Sequence, residues 1–188
     1  MIPKPLFRPA FTLLELLVVV SIMVLLTTFS IAGFSNYSRT QRLAQAAHSL
    51  ETILKDAQVR ALSSVDGLNW GIHLELNSGT AEIFSTPSAA YDSAVQLLVR
   101  EIGETTPISD LTLQQGGFLN IVFSVADGSV VFTADDGTCL GGSADSVCSG
   151  VGTGCAAMGV NLQGTSNKRY LKVNERNIFE SDDLTPCP

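Results

Sequence analysis

The sequence predicts an α+β fold: a long N-terminal helix, membrane-spanning in its first half, packed on an antiparallel β-sheet. Three observations carry this reading. No residue from Leu16 to Ser38 is charged, and Leu16–Phe29 is almost wholly Leu, Val, Ile, Met and Phe. Beyond it, Leu43, Ala47, Leu50, Leu54, Ala57 and Ala61 recur at spacings of four and three, the seam of an amphipathic helix. After Gly67 the apolar period drops to two and stays there, with no alternation of strand and helix.

Composition and charge set the outer limits. The chain has 188 residues, 45% hydrophobic and 15% charged, which excludes a disordered chain. Its length fits one domain plus accessories. Residues 1–40 carry Lys4, Arg8 and Arg39 against Glu15, net +2, so of the overall −7 residues 41–188 carry −9. An acidic body of that size is a poor bulk attractor for nucleic acid or anionic lipid.

The elements follow in order. An apolar run of about 20 residues is long enough to span a bilayer, and it is hydrophobic all round, unlike a surface helix. Lys4 and Arg8 precede it, so the N-terminus is expected in the cytoplasm and the body outside. Thr27–Gly33 also offers the small-residue cleavage site of a conventional signal peptide. Glu15 stands apart: a carboxylate in an apolar helix costs about 2.5–3.5 kcal/mol on insertion scales and marks a functional position. The helix continues through the seam, with Ile53 widening it and Arg42, Glu51, Lys55, Asp56 and Arg60 off it, and ends by Ser63–Gly67. Gly33 offers a bend. Trp70, Ile72, Leu74 and Leu76 then alternate as a half-buried strand, Asn77-Ser78-Gly79 turns, and Ala81–Phe84 returns. Further strands are expected within Val95–Ile102, at Asn120–Ala126 and Ser129–Thr133 around Asp127-Gly128, at Arg169–Val173 and at Ile178-Phe179. Asp135–Gly159, rich in Gly, Ser, Ala and Asp, reads as a long loop.

The start of the chain has a specific likeness. Ala10-Phe11-Thr12-Leu13-Leu14-Glu15-Leu16, after a short basic leader and before an apolar helix, resembles the class III signal of type IV pilins and type II secretion pseudopilins. Ala10 stands where that family usually has Gly. The body is most similar to GspH/FimT-type minor pseudopilins, through Ala57–Leu62 closing the helix, Asn69-Trp70-Gly71-Ile72 opening the sheet, Ile121-Val122-Phe123-Ser124 before Asp-Gly, and Leu171-Lys172-Val173. The resemblance implies a pilin-like fold and the division 1–10 leader, 11–38 transmembrane and filament-core helix, 39–66 amphipathic continuation, 67–188 extracytoplasmic β-rich head. It implies cleavage between Ala10 and Phe11 by a prepilin peptidase, methylation of the Phe11 amine by the same system, and assembly roles for Thr12 and Glu15. Glu15 would neutralise a neighbouring subunit's N-terminal amine. The implied role is a structural subunit of a pilus or pseudopilus whose partners are the peptidase/methylase, other subunits and the inner membrane. The rival readings are a membrane-anchored adhesion module and a DNA-uptake subunit, the latter through Lys168, Arg169, Lys172 and Arg176.

Other chemistry is sparse. Cys139, Cys148, Cys155 and Cys187 lie in the last third and suggest one or two disulfides, with three connectivities open for two bonds. They lack the paired spacing of a zinc site. Asp135-Asp136-Gly137 with Asp145 misses the EF-hand calcium pattern and reads as a solvated acidic turn. Gly150–Gly154 lacks the strand and Lys of a phosphate loop. No nucleophile motif appears, His48 and His73 read as surface or packed residues, and no enzyme, cofactor or metal is expected.

Overall fold

In a computed structural model of the chain the described residues are 12–88, 91, 98–103, 105–125, 127–142, 154–163, 165–174 and 177–185, with the side chains of residues 29–33 left aside. The chain divides into two compact units, Met1–Thr40 and Gln41–Pro188. Helix α1 (Leu13–Leu62) contributes to both. The first unit is helical throughout its described residues from Leu13 onward.

The second unit begins with the rest of α1. Leu43, Ala46, Ala47, Leu50, Ile53, Leu54, Ala57 and Ala61 are buried, so the seam is the face turned to the core. Glu51–Lys55 and Asp56–Arg60 form i,i+4 ion pairs off it. The helix stops where Ser64 and Asp66 take left-handed backbone angles, with a single 3-10 turn at Val65–Gly67. Ten strands follow: β1 (Asn69–Glu75), β2 (Thr80–Thr86), β3 (Leu98–Glu101), β4 (Ile108–Leu111), β5 (Phe118–Phe123), β6 (Val130–Thr133), β7 (Cys139–Gly142), β8 (Cys155–Asn161), β9 (Lys168–Asn174) and β10 (Ile178–Ser181).

They form two antiparallel sheets, one in the order β3-β2-β1-β5-β6-β7 and the other β10-β9-β8-β4. In β1 the residues Trp70, Ile72 and Leu74 lie on one face and join the seam in a single buried cluster. The second sheet supplies Met158, Val160, Leu171 and Val173 to the same cluster. Asn77, with φ 65, closes the β1–β2 turn, and Gly128, with φ 72, serves the longer β5–β6 connection. Gly71 is glycine for space: Phe84 and the Ile121 carbonyl would lie 2.7 and 2.9 Å from an added Cβ.

The fold expectation is corrected in two respects. The side chains of α1 are described over residues 13–28 and 34–62, stretches of 16 and 29 residues. No helix among the described residues is long and apolar enough to cross a membrane. A membrane-spanning first half of one long helix is therefore not found. Nor is a pilin-like layout of one helix on one sheet: the strands build a large antiparallel domain of two sheets.

The segment Asp135–Gly159 is likewise not one long loop, because it contains β7 and the first five residues of β8. Strand β8 reads Cys-Ala-Ala-Met-Gly-Val-Asn, poor in the branched residues that mark strands, yet it pairs with both β4 and β9 and is almost wholly buried. Small residues suit that central position: an added Cβ on Gly159 would lie 2.9 Å from both Asp110 and Tyr170. β4, also absent from the sequence expectation, is held by the same pairing.

Replacing Gly71 with Ala should destabilise the body by about 1–3 kcal/mol, the usual cost of overpacking a filled core. Phe84 is fully buried and has nowhere to retreat. Thermal unfolding of the two proteins measures it, and an unchanged Tm would contradict the close packing.

Candidate functional site

The residues singled out at the start of the chain are only partly described. Ala10 and Phe11 lie outside the described residues, whereas Thr12 and Glu15 are placed at the first turn of α1. The backbone N–H of Glu15 donates to Thr12 Oγ1 at 3.2 Å, and that of Leu16 donates to the Thr12 carbonyl at 3.2 Å. Thr12 is thus the N-cap of the helix and Glu15 stands three residues on, the spacing of a capping box. A carboxylate in the first turn also meets the positive end of the helix dipole. The Thr-x-x-Glu spacing itself announces this role, which a reading for assembly alone passes over.

Beyond the cap the helix surface is unusual. Twelve large apolar side chains between Leu13 and Leu26 are exposed, from 82% for Leu13 to 43% for Val19, and they occupy every side of the helix. Fully burying one such side chain is worth roughly 1.5–3 kcal/mol, so a run of this size needs a covering. The hydroxyls within the stretch turn inward. Ser21 Oγ donates to the Leu17 carbonyl at 2.8 Å, Thr27 Oγ1 to Met23 and Val24 at 3.0 and 2.9 Å, and Thr28 Oγ1 to Val24 at 2.8 Å. Each satisfies its donor on its own backbone, as a hydroxyl entering an apolar environment must.

The body uses its charges differently. Lys168 Nζ pairs with Asp110 at 2.8 Å, Arg169 with Glu180 at 2.7 Å, and Lys172 with Asp183 at 2.6 Å. Lys172 is only 5% exposed. The basic cluster of β9 is therefore neutralised residue by residue, and Arg176 lies outside the described residues. Burial pushes the Asp110 carboxyl up, but hydrogen bonds from Lys168 and Ser109 outweigh it and hold the group below its ordinary value. Hydrogen bonding to Lys172, then to Thr185, lowers Asp183.

A second polar group sits on the first sheet. His73 Nδ1 lies 2.7 Å from Asn120 Oδ1 and 3.3 Å from Asp135 Oδ1, and its ring stacks between Tyr91 and Phe118 at 4.2 and 5.5 Å. The Tyr91 hydroxyl donates to Glu82 at 2.8 Å; burial, then that bond, pushes its pKa up to about 12. The row Glu82–His73–Asn120 is set by strand register, since Glu82 and Asn120 both face His73 across β1. His48, by contrast, is exposed and 3.5 Å from Glu51.

The acidic turn is occupied by its own backbone. Asp136 Oδ1 accepts from Thr138 N at 2.9 Å; hydrogen bonding to the Thr138 side chain, then to its backbone, lowers that carboxyl, and Asp135 accepts from Asn120. Asp145 and residues 150–153 lie outside the described residues, among which no group of His, Cys, Asp or Glu is arranged to hold a metal. Cys139 and Cys155 are disulfide-bonded; Cys148 and Cys187 lie outside the described residues. Compared with protein-family models, curated proteins and solved structures, the chain matches none.

Thr12→Ala should remove the cap, at about 1 kcal/mol, and speed amide exchange at Glu15 roughly fivefold, since that energy is about a factor of five. Thr12→Ser should restore protection. Hydrogen exchange by NMR in detergent reads both. The Asp110–Lys168 pair should support folding fully above about pH 3.8, the carboxyl's ordinary value, and lose its contribution as pH falls through the depressed folded value. In acid titration of stability, Lys168→Met should flatten that part of the profile.

Proposed function

We propose that the chain is a structural assembly subunit, a minor pilin or pseudopilin of a type IV pilus or type II secretion pseudopilus. The observation that carries the reading is the run of twelve apolar side chains open on all sides of α1 with its hydroxyls satisfied internally. Such a surface is built to be enclosed by apolar partners, and helices of neighbouring subunits provide that enclosure. The basic leader and the Phe-Thr-Leu-Leu-Glu start supply the processing signal: a prepilin peptidase cuts between Ala10 and Phe11 and the new amine is methylated. Before assembly the subunit resides at the inner membrane with its body extracytoplasmic.

In the assembled filament Glu15 meets a neighbour's Phe11 amine. A carboxylate enclosed by apolar side chains is tolerable when paired with an opposite charge. Its place in the first turn of a capped helix fixes the backbone from which that carboxylate projects. The DNA-uptake reading is weakened by the pairing of Lys168, Arg169 and Lys172 with carboxylates, which leaves those cations no net charge to offer phosphates.

Two experiments test the proposal. N-terminal sequencing and intact mass of protein from its host should find methylated Phe11 at the mature end. An end near Ala32 would instead support a conventional signal peptide. Glu15→Ala should leave the body folded but cut filament incorporation more than a hundredfold, because breaking one side of a buried pair costs about 3–5 kcal/mol at about 1.4 kcal/mol per decade. Normal recovery of the mutant in sheared filaments would refute the assembly role of Glu15.

A further inference from the structure

We infer that the outer edge of β3 takes up an extended segment of a partner polypeptide as an added antiparallel strand, with an acidic residue of that segment meeting Arg100 over the groove between β3 and α1. The inference does not rest on the assembly reading. β3 ends the six-stranded sheet and, among the described residues, pairs with β2 alone. All four of its residues are exposed, Val99 by 59% and Leu98 by 39%. Edges of this kind template further pairing unless Pro, Lys or a bulge blunts them. Leu98–Glu101 has none of the three, and its two charges are of opposite sign.

The pairing with β2 sets which backbone groups are open. Ile102 N donates to the Gly79 carbonyl at 2.8 Å. Hydrogen-bonding direction alternates along a strand, so Leu98 and Arg100 bond inward to β2, whereas Val99 and Glu101 turn N–H and C=O to the open edge. Side chains alternate as well. Leu98 and Arg100 stand opposite Ile83 and Ala81, which belong to the core cluster, and so lie on the α1 side of the sheet. There a groove of about 600 Å³ runs beside the helix, with Thr52, Ile53 and Val59 on the helix wall and Arg100 on the strand wall.

Charge and register specify the occupant. Lys55 and Asp56 in the groove are matched by Glu51 and Arg60, but Arg100 has no ion-pair partner among the described residues. The strand pairs of both sheets are antiparallel. An antiparallel newcomer sets three consecutive residues opposite Arg100, Val99 and Leu98. The first and third face the groove, so an acid in the first pairs with Arg100 and an apolar residue in the third packs on Leu98. The middle residue exchanges two backbone hydrogen bonds with Val99. The partner segment is therefore Asp/Glu-x-apolar in extended form. The β3 of a second copy fits less well: two-fold pairing centred on Arg100 opposes like charges, and pairing centred on Val99 sets Arg100 against Leu98 with no acid.

The test titrates the full chain in detergent with the peptide acetyl-Thr-Glu-Thr-Val-Thr-amide and follows the Val99 and Glu101 backbone N–H resonances. Both should move downfield and saturate. N-methylation of the central Thr of the peptide, whose N–H faces Val99, should abolish the shift. N-methylation of its Val, whose N–H faces away from β3, should leave it. Replacing its Glu by Gln should weaken binding about threefold, the worth of a solvent-facing ion pair, and should change nothing in the Arg100→Gln chain. Val99→Pro removes an outward donor that β2 does not use, so binding should be lost with the Tm unchanged. The two N-methyl peptides test the same bond without altering the protein. The proposal is overturned by an absent saturable shift, or by equal binding of both N-methyl peptides, which would mean occupancy of the groove without strand pairing. Sedimenting dimers that Val99→Pro disperses would also overturn it, assigning the edge to a second copy. None of these readouts depends on filaments, so this edge and the assembly role fail separately.

Discussion

The buried seam of α1 is the constraint on which the body depends. Leu50 and Leu54 are fully enclosed, and Ala46, Ala47, Ala57 and Ala61 keep the rest of the face low. Both sheets contribute to the one cluster around it. A single Leu→Ala change at such a position typically costs 2–5 kcal/mol, against a net stability of 5–15 kcal/mol for a whole domain. Because the seam is shared, the strands cannot shift register without moving apolar side chains out of that cluster. The polar row at His73, the ion pairs of β9 and the groove beside β3 all inherit their geometry from it.

The two units solve the problem of polar groups in opposite ways. In the body, carboxylates and cations are matched across strands and turns, and even the nearly buried Lys172 has Asp183. In the first unit the apolar surface is left open and the hydroxyls are folded back onto their own helix. The first arrangement suits a domain that faces water. The second suits a surface awaiting apolar neighbours, and that contrast is the physical basis for reading the chain as an assembly subunit.

Much of this was legible from local chemistry. The spacing of Leu43 to Ala61 identifies the helix face, because a period of 3.6 must be buried on one side. The alternation from Trp70 to Leu76 identifies β1, and Asn77 and Gly128 mark connections because they tolerate left-handed backbone angles. The capping role of Thr12 was present in its spacing to Glu15. By contrast, β4, β7 and β8 carry little strand signal of their own: β4 is four residues with Ser-Asp at its centre, β7 and β8 are rich in small Ala, Gly and Cys, and only neighbours on both sides make β8 a strand.

By itself the sequence determined the helix faces, the apolar run with its single carboxylate, and the change of period after Gly67, since each depends on residues close together in the chain. The tertiary structure alone decided the division into two sheets, the neutralisation of the basic β9 residues by Asp110, Glu180 and Asp183, and the open edge of β3 beside α1. Asp110 lies 58 residues from Lys168. No local pattern encodes such a contact, because what brings its members together is the burial of a shared core and not their spacing along the chain.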